Sequence, residues 1–457
     1  MKPSVISNVC LCTLVLGSVC GPCLHGQSST IEPLFAFSCN SSSVCAQGDN
    51  PSSLLQSADG NFYGTTEFGG TGNQAAGTVF KLTSARELTT LYTFVAEKSG
   101  NYPAGANPTS LVEGNDGFLY GTAQMGGTDN QGVVFRLSKA GAIQVLHSFC
   151  PTCGDGEGNQ PFNLVLGNDG DFYGCTTYSF PGTLFRITPT GSYTLLHTFN
   201  FAVDGAQCVG MILASDGNLY GNTLGGFSFP TILFRLTPPG ELATVHNWRY
   251  PQFPASPPTQ TSDTRIWGVT TGTVMFGISL SGANYQQTAL PYAFPPNVTF
   301  MTQASDGNFW GAFGNDIVNF TPGGASLQQI SLGDANTASA ALLLQTSSGA
   351  LIGITNNGGF TGGDPGEIFA VEPPLPAPKA EFLTFTPASG KVGSQITIHG
   401  THFVGTTGVT FNGISAKFQV LNTGNIKATV PAGATTGPIS VTNKGGKTLS
   451  KKDYTVE

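Results

Sequence analysis

Short runs of apolar residues recur along most of this chain, each interrupted by turn-forming residues. An apolar run such as Ser53-Leu54-Leu55 leads into an Asp-Gly pair, and a second run such as Phe62-Tyr63-Gly64 follows it. Asp-Gly between two such runs is the strongest short-range signal for a β-hairpin, because both central residues of a type I′ turn need positive φ. The pattern predicts hairpin turns at Asp59-Gly60, Asp116-Gly117, Asp169-Gly170, Asp216-Gly217 and Asp306-Gly307.

The hairpins belong to a longer repeat. With degenerate copies at Asp263 and Ser348, the turns follow one another after 57, 53, 47, 47, 43 and 42 residues, which makes seven units. Two further strand-like runs follow each hairpin, for example Thr78–Leu82 and Leu88–Phe94. Four short antiparallel strands in roughly 40 to 50 residues are typical of a propeller blade. We predict an all-β fold with a seven-bladed β-propeller, and keep six or eight blades as alternatives because the unit at Asp263 is weak.

The two ends of the repeat region complement each other. The last unit stops at Pro373-Pro374 without a fourth strand, whereas Ile31–Phe37 resembles the fourth strands of the other units and precedes the first. A ring closed in this way leaves only short, protected sheet edges. We therefore expect the N-terminal strand to complete the last blade.

Composition and charge divide the chain into segments. Residues 1–26 contain one charge, Lys2, and an apolar centre, which predicts a secretory signal peptide. Residues 27–372 form the predicted propeller and carry an excess of acids, with a net charge of −14 for residues 27–378. Residues 373–378 are a proline-rich linker, expected to be extended and semi-rigid. Residues 379–457 have a net charge of +5 and four alternating runs, which predict a separate small β domain.

Cysteine usage is consistent with an oxidising compartment. Cys39 with Cys45, and Cys150 with Cys153, each bracket a loop between two predicted blades, so we expect two local structural disulfides. The alternative for the second pair, a redox CxxC motif, needs a thiolate at a helix N-terminus, and no helix is predicted there. Cys175 and Cys208 fall on adjacent blades and either pair or remain buried thiols.

Two resemblances follow from these motifs. The C-terminal segment resembles an IPT/TIG domain, an immunoglobulin-like sandwich, through Phe385–Gly390, Gly393–Phe403, Val409–Gly413 and Gly437–Val441 in that order. The repeats are similar to the bacterial GloVer-type tandem repeat of "choice-of-anchor" surface proteins, whose signature is Asp-Gly-Asn-Phe-Tyr-Gly followed by Gly-Gly and Gly-Thr-Val-Phe-Lys-Leu. Members often end in an anchoring segment, and this chain ends at Glu457 without an apolar tail. The resemblances imply location and architecture, and bring no catalytic residue.

Candidate chemistry in the repeats has structural alternatives. His147, His197 and His246 occupy one slot of successive repeats, so they should diverge around a ring instead of converging on a metal. The turn aspartates could form calcium sites or a ring of acids, but each is explained as a turn residue whose side chain bonds nearby backbone. We predict no metal site and no cofactor.

An aromatic residue precedes the same glycine in six units. These residues are Tyr63, Tyr120, Tyr173, Tyr220, Trp267 and Trp310. Large side chains at equivalent positions are expected to pack between blades. If they instead line one mouth of the channel, they would form a stacking platform for sugars, and the following glycines would let a ligand approach the backbone.

Three functional classes are compatible with this sequence. We favour an exported, non-catalytic binding or structural protein, extracellular, periplasmic or at the cell surface, whose propeller presents loops to a glycan or protein. The alternatives are a propeller-type glycoside hydrolase or polysaccharide lyase, for which Asp155, Glu157 and Asp204 are candidate acids, and a surface scaffold without a small ligand. We expect a monomer without a transmembrane segment, and an acidic ring does not favour nucleic acid.

Overall fold

The computed structural model describes residues 29–40, 42, 44–150, 156–177, 181–224, 229–238, 240–248, 254, 256–270, 274–290, 298–332, 340–356 and 365–457. The described residues contain 37 β-strands and no α-helix. The predicted signal peptide, residues 1–26, lies outside the described residues. No helix that could cross a membrane is present in the part of the chain that the structure describes.

Seven four-stranded antiparallel sheets follow one another along the chain. Strand β1 is Thr30–Ala36. Blade 1 contains β2 (Asp49–Gln56), β3 (Phe62–Phe68), β4 (Thr78–Leu82) and β5 (Leu88–Thr93). Blade 2 contains β6 (Ala106–Glu113), β7 (Leu119–Met125), β8 (Val133–Leu137) and β9 (Ile143–Ser148). Blade 3 contains β10 (Pro161–Leu166), β11 (Phe172–Thr176), β12 (Thr183–Ile187) and β13 (Tyr193–Thr198). Blade 4 contains β14 (Gln207–Leu213), β15 (Leu219–Leu224), β16 (Thr231–Leu236) and β17 (Leu242–Trp248).

The remaining blades have the same order of strands. Blade 5 contains β18 (Thr259–Gln260), β19 (Arg265–Thr270), β20 (Val274–Ser279) and β21 (Gln286–Ala289). Blade 6 contains β22 (Val298–Gln303), β23 (Phe309–Phe313), β24 (Asp316–Phe320) and β25 (Ser326–Ser331). Blade 7 contains β26 (Ala340–Gln345), β27 (Leu351–Thr355) and β28 (Glu367–Glu372), and β1 is its fourth strand.

The pairing of β1 with β28 confirms the predicted closure of the ring. The two strands are antiparallel, with Ile31 opposite Val371 and Ala36 opposite Glu367. Phe37 follows β1, is fully buried, and donates its backbone N–H to the Gly366 carbonyl at 3.0 Å. The first and last repeats are therefore joined in one sheet, and the predicted seven-bladed propeller is confirmed.

Each pair of neighbouring blades is held together by its own apolar cluster, and there are seven such clusters in the described ring. In five of them an aromatic side chain at the end of the fourth strand, or directly after it, packs on a phenylalanine in the third strand of the next blade. Those pairs, with their ring-centroid distances, are Phe37–Phe80 (5.5 Å), Phe94–Phe135 (5.4 Å), Phe149–Phe185 (5.3 Å), Phe199–Phe234 (5.8 Å) and Trp248–Phe276 (4.8 Å). The repeated LYTF and LHTF endings are therefore the contacts between blades.

The glycine of the Tyr-Gly motif has a packing role. A Cβ atom on Gly64 would overlap the ring of Phe80 in the neighbouring strand β4, and Gly121 has the same relation to Phe135. The phenylalanine lies directly over the glycine because no side chain separates them. The hypothesis that these glycines let a ligand approach the backbone is wrong at these two positions, since a protein side chain fills the space.

The C-terminal residues form two packed sheets. The strands are β29 (Glu381–Thr386), β30 (Ser389–Gly390), β31 (Gln395–Thr401), β32 (Gly408–Phe411), β33 (Ile414–Ser415), β34 (Phe418–Val420), β35 (Asn425–Thr429), β36 (Gly437–Asn443) and β37 (Gly446–Val456). One sheet has the order β29-β31-β35-β34 and the other β30-β37-β36-β32-β33. Their core is a separate cluster that includes Ile398, Phe411, Ile426 and Tyr454.

Candidate functional site

The ring has two different faces. The first strand of each blade ends at the Asp-Gly turn or at its degenerate copy, so these turns lie at one end of the channel, which we call the hairpin face. The second strands end at the opposite side, where the connections between blades also lie, and we call this the loop face. The backbone N–H of Gly70, after β3, bonds the Cys45 carbonyl, before β2, at 2.8 Å, so both kinds of loop meet there.

The turn aspartates are engaged within their own hairpins. In the first unit, Asp59 Oδ1 accepts the Asn61 N–H at 3.0 Å and Oδ2 accepts the Tyr63 hydroxyl at 2.7 Å. The same tyrosine bond is present at Asp116, Asp169 and Asp216, and the Trp310 Nε1–H lies 3.3 Å from Asp306 Oδ2. The glycines Gly60, Gly117, Gly170, Gly217 and Gly307 have φ between 80° and 87°, whereas the aspartates before them do not have positive φ. The hairpins therefore form at the predicted positions, but the predicted type I′ geometry is wrong, because it requires positive φ at both residues. These carboxylates therefore fix the turn and the following aromatic ring.

The six repeat aromatics are buried. Tyr63, Tyr120, Tyr173, Tyr220, Trp267 and Trp310 are between 0% and 3% exposed. Burial, followed by the hydrogen bond to the turn aspartate, raises the pKa of the four tyrosines, so they stay neutral donors. This geometry favours packing between blades, and these positions offer no exposed ring face for a sugar.

The three repeat histidines lie on the outermost strands of blades 2, 3 and 4. His147 Nε2 lies 2.6 Å from Glu157 Oε2, and His197 Nε2 lies 2.7 Å from Asp204 Oδ2. His246 instead stacks on Tyr285, with ring centroids 4.0 Å apart. The histidines are thus separated by whole blades, and two of the candidate acids are buried partners of histidines. The third, Asp155, lies outside the described residues.

Disulfides connect loops and blades. Cys39 and Cys45 are bonded in the loop that enters blade 1. Cys150 is also disulfide-bonded, while Cys153 lies outside the described residues. Cys175 and Cys208 are bonded and join β11 of blade 3 to β14 of blade 4. Among the described residues, the only group of three potential metal-ligating side chains is Cys39, Cys45 and Asp49, and its two sulfurs are already joined.

A set of amide bridges between blades escaped the sequence analysis. In each bridge, the glutamine that ends an innermost strand accepts, through its Oε1, a hydrogen bond from the backbone N–H of a serine in the hairpin turn of the preceding blade. The four amide bridges run from Ser215 to Gln260, Ser262 to Gln303, Ser305 to Gln345 and Ser347 to Gln56, at 2.8 to 3.0 Å. The sequence signal is a glutamine three residues before the turn Asp or Ser, but only the assembled ring shows that its side chain reaches the neighbouring blade.

Glu113 takes the place of glutamine between blades 1 and 2. Its carboxylate accepts bonds from the Ala58 N–H at 3.0 Å and the Ser57 hydroxyl at 2.8 Å, and it pairs with Lys139 Nζ at 2.6 Å. Lys139 also lies 3.7 Å from Asp59. The buried charge of Glu113 is therefore compensated within the blade interface.

The C-terminal sandwich lies against the hairpin face. Asn422 is buried there, and its Nδ2 donates to the Glu113 carbonyl at 3.3 Å and to Asn115 Oδ1 at 3.0 Å. The proline-rich segment is also docked, because the Ser305 hydroxyl donates to the Pro376 carbonyl at 2.5 Å and the Leu375 N–H bonds Gly349. It is fixed to blades 6 and 7 along part of its length.

Exposed apolar side chains collect on the other face. Seven large apolar side chains of the described ring are at least 40% exposed, and six of them lie on the loop face. These six are Val44, Phe68, Met125, Val203, Leu224 and Phe229. They belong to blades 1, 2 and 4 or to the loops that enter them.

The repeat sequence and the propeller geometry agree with a known family. The profile of the Gloeobacter/Verrucomicrobia repeat matches residues 51–283, just over half of the chain. This chain belongs to the Gloeobacter/Verrucomicrobia repeat family. An IPT/TIG domain matches residues 381–456, so this repeat protein carries an immunoglobulin-like IPT/TIG domain after its propeller. None of the curated proteins matches the chain.

Solved structures share the fold of this repeat protein at low sequence identity. A streptogramin B lyase structure aligns with a TM-score of 0.52 and 15% identity, over 75% of this chain and 97% of that one. The extracellular domain assigned to a hybrid two component system of B. thetaiotaomicron aligns with a TM-score of 0.52 and 13% identity, over 80% of this chain and 45% of that one. At these identities the likeness concerns the fold alone. The repeat, the IPT/TIG domain and the disulfides are together consistent with an extracellular or cell-surface protein.

Proposed function

We propose that this repeat protein is an exported binding protein that holds a glycan or a surface protein on the loop face of its propeller, without turning it over. The observation that carries the proposal is the distribution of exposed apolar side chains. Six of the seven in the described ring lie on the loop face, while the hairpin face is covered by the IPT/TIG domain. Clustered exposed apolar surface on a soluble domain marks an interaction site.

The loop face supplies both apolar and polar contacts. Phe68 and Met125 end the second strands of blades 1 and 2 at equivalent repeat positions and are 45% and 41% exposed. Phe229 packs against Phe201 at 5.2 Å, which gives a second apolar contact on this face, at blade 4. A carbohydrate or a protein surface would find stacking and apolar contacts here. The absence of turnover is supported by Glu157 and Asp204, whose carboxylates are occupied by histidine and backbone donors.

A carbohydrate-active enzyme is the second candidate, and one pair of acids favours it. Burial raises the pKa of Asp49, and burial together with the charge of Asp49 raises the pKa of Glu67. Glu67 Oε2 accepts a bond from Asn50 Nδ2 at 2.6 Å, which lowers its pKa in part. Both acids lie at the loop-face end of blade 1. Glycoside hydrolysis needs paired carboxylates, one of which keeps its proton as a general acid.

The test combines a glycan array with reducing-sugar and unsaturated-product assays on the same polysaccharides. We expect binding without product, and at least a fivefold loss of affinity in Phe68→Ala and Met125→Ala, about 1 kcal/mol each. Leu327→Ala is the matched control, because Leu327 is 55% exposed but lies away from the loop face. Product formation that Asp49→Asn or Glu67→Gln abolishes would establish the enzyme instead. The binding proposal would be contradicted if no glycan bound and if, in addition, the wild type captured no protein that Phe68→Ala fails to capture.

A further inference from the structure

A cleft separates the hairpin face from the IPT/TIG domain. It has a volume of about 710 Å³ and lies over blades 5, 6, 7 and 1. A second space of about 330 Å³ continues under Asn422 over blades 1 to 4, and Gly400 lines both. Ligand pockets usually measure roughly 300 to 1,000 Å³, so the cleft is large enough for a small organic molecule.

The lining of the larger space is mostly uncharged and mixes polar with apolar side chains. Amides and hydroxyls of four innermost strands and their turns face it. They belong to Gln56, Gln260, Gln303, Gln345, Ser262 and Ser305. The apolar side chains Leu54, Leu55 and Leu344 lie between them, and Lys379 and Glu381 are the charged lining residues. Most of these amides and hydroxyls already bond within the blade interfaces, so a ligand would use their remaining donor and acceptor capacity. A neutral saccharide, with hydroxyls and apolar ring faces, matches this uncharged lining better than an ion or a charged peptide.

A buried histidine points to a ligand. His399 is 4% exposed, and its Nδ1 lies 2.7 Å from Asn425 Oδ1, so Nδ1 donates and Nε2 carries a lone pair. Neither His399 Nε2 nor Thr401 Oγ1 has a hydrogen-bond partner within the described residues. Both residues line a small cavity of about 50 Å³ that shares Gln260, Gly400 and Thr401 with the cleft.

The unpaired atoms need an explanation. A buried acceptor without a partner costs about 1–3 kcal/mol. Burial lowers the pKa of His399, outweighing the bond from Asn425, so the imidazole remains a neutral acceptor at physiological pH. A hydroxyl donor that enters the small cavity from the cleft would satisfy Nε2 and Thr401 together. The cavity has room for one such group or for a water molecule.

We propose that the cleft between the propeller and the IPT/TIG domain is a binding site for a neutral saccharide, one hydroxyl of which donates to His399 Nε2 and contacts Thr401. The IPT/TIG domain is then part of a binding site. This site is independent of the loop face, so the two proposals can fail separately.

Isothermal titration calorimetry on residues 27–457 tests the proposal with maltotriose, cellotriose, xylotriose and triacetylchitotriose, each at up to about 10 mM. We expect at least one to bind, and Thr401→Val to weaken it at least about tenfold, the value of one hydrogen bond. Thr401→Val should unfold no earlier than the wild type, because it replaces an unpartnered buried hydroxyl by a methyl group. Thr429→Val, in the same domain but outside the cleft, is the matched control and should bind normally.

A second readout follows the acceptor directly. In a two-bond ¹H–¹⁵N spectrum, the His399 Nε2 resonance should move upfield when the saccharide donates to it. Three results would overturn the proposal: no heat with any of the four saccharides, equal affinity in Thr401→Val, or binding that leaves the His399 resonance in place. The last two would mean that the small cavity holds only water.

Discussion

Closure of the ring by β1 should account for much of the stability of the propeller. The most direct perturbation is to compare the chain starting at Gln27 with one starting at Cys39, which lacks β1 and Phe37. In the intact ring Phe37 is fully buried and packs on Phe80 of blade 1 while β1 pairs with β28 of blade 7. Removal of residues 27–38 therefore eliminates both the β1–β28 pairing in blade 7 and the packing of Phe37 on blade 1.

The loss in free energy of unfolding can be worked out from the buried side chains that are removed. Truncation of a buried phenylalanine costs about 3–5 kcal/mol. Leu34 and Phe35 are partly buried between blades 7 and 1, Ile31 is partly buried between blades 6 and 7, and each contributes about 1 kcal/mol. The total of about 6–8 kcal/mol is comparable with the whole free energy of unfolding of a typical domain, about 5–15 kcal/mol. The free edge of β28 should also promote aggregation.

Urea unfolding followed by tryptophan fluorescence measures the effect. We expect the chain starting at Cys39 to aggregate or to unfold at a much lower urea concentration, and Phe37→Ala in the full chain to lose about 3–5 kcal/mol. Phe68→Ala is the control, since Phe68 is 45% exposed and should cost less than about 1 kcal/mol. Equal midpoints for the two chains would refute the closure.

Three further predictions address the blade interface, the domain division and pH. Glu113→Ala should lower the free energy of unfolding by about 2–4 kcal/mol, because it leaves Lys139 and the Ala58 N–H without their buried acceptor. Glu113→Gln places at this interface the amide that the other interfaces use, and should cost about 1 kcal/mol or less. Equal costs of the two variants in urea unfolding would contradict this prediction. Residues 379–457 should fold alone because the sandwich has its own core, and a random-coil circular dichroism spectrum would disprove it. Burial lowers the pKa of His399 below its ordinary 6.5, so the unfolded chain binds more protons than the folded one below that pH. The free energy of unfolding should therefore fall as the pH drops below about 6.5, by at most about 1.4 kcal/mol per pH unit. Urea midpoints that do not change between about pH 7.5 and pH 5 in either the wild type or His399→Gln would argue against this prediction.

The architecture could be predicted from sequence because its signals are local. Asp59-Gly60 and its copies specify tight turns through the positive φ of the glycine, and their spacing gives the number of blades. The strand at residues 31–37 could be assigned to blade 7 because it repeats the pattern of the other fourth strands. The IPT/TIG motifs likewise follow from turn residues and alternating strands.

The site depends on contacts between residues that are distant in sequence. Tyr63 is a plausible stacking residue from its position alone, but the neighbouring blade covers it, and this is set by packing around the ring. Glu113 meets Ser57 and Lys139 only because three strand ends converge at one blade interface. His399 faces a cavity only because the IPT/TIG domain lies on the hairpin face. Local turn and strand preferences thus determined the blades, whereas burial and polar contacts across blades and domains were decided by the tertiary structure, because they depend on which surfaces the closed ring brings together.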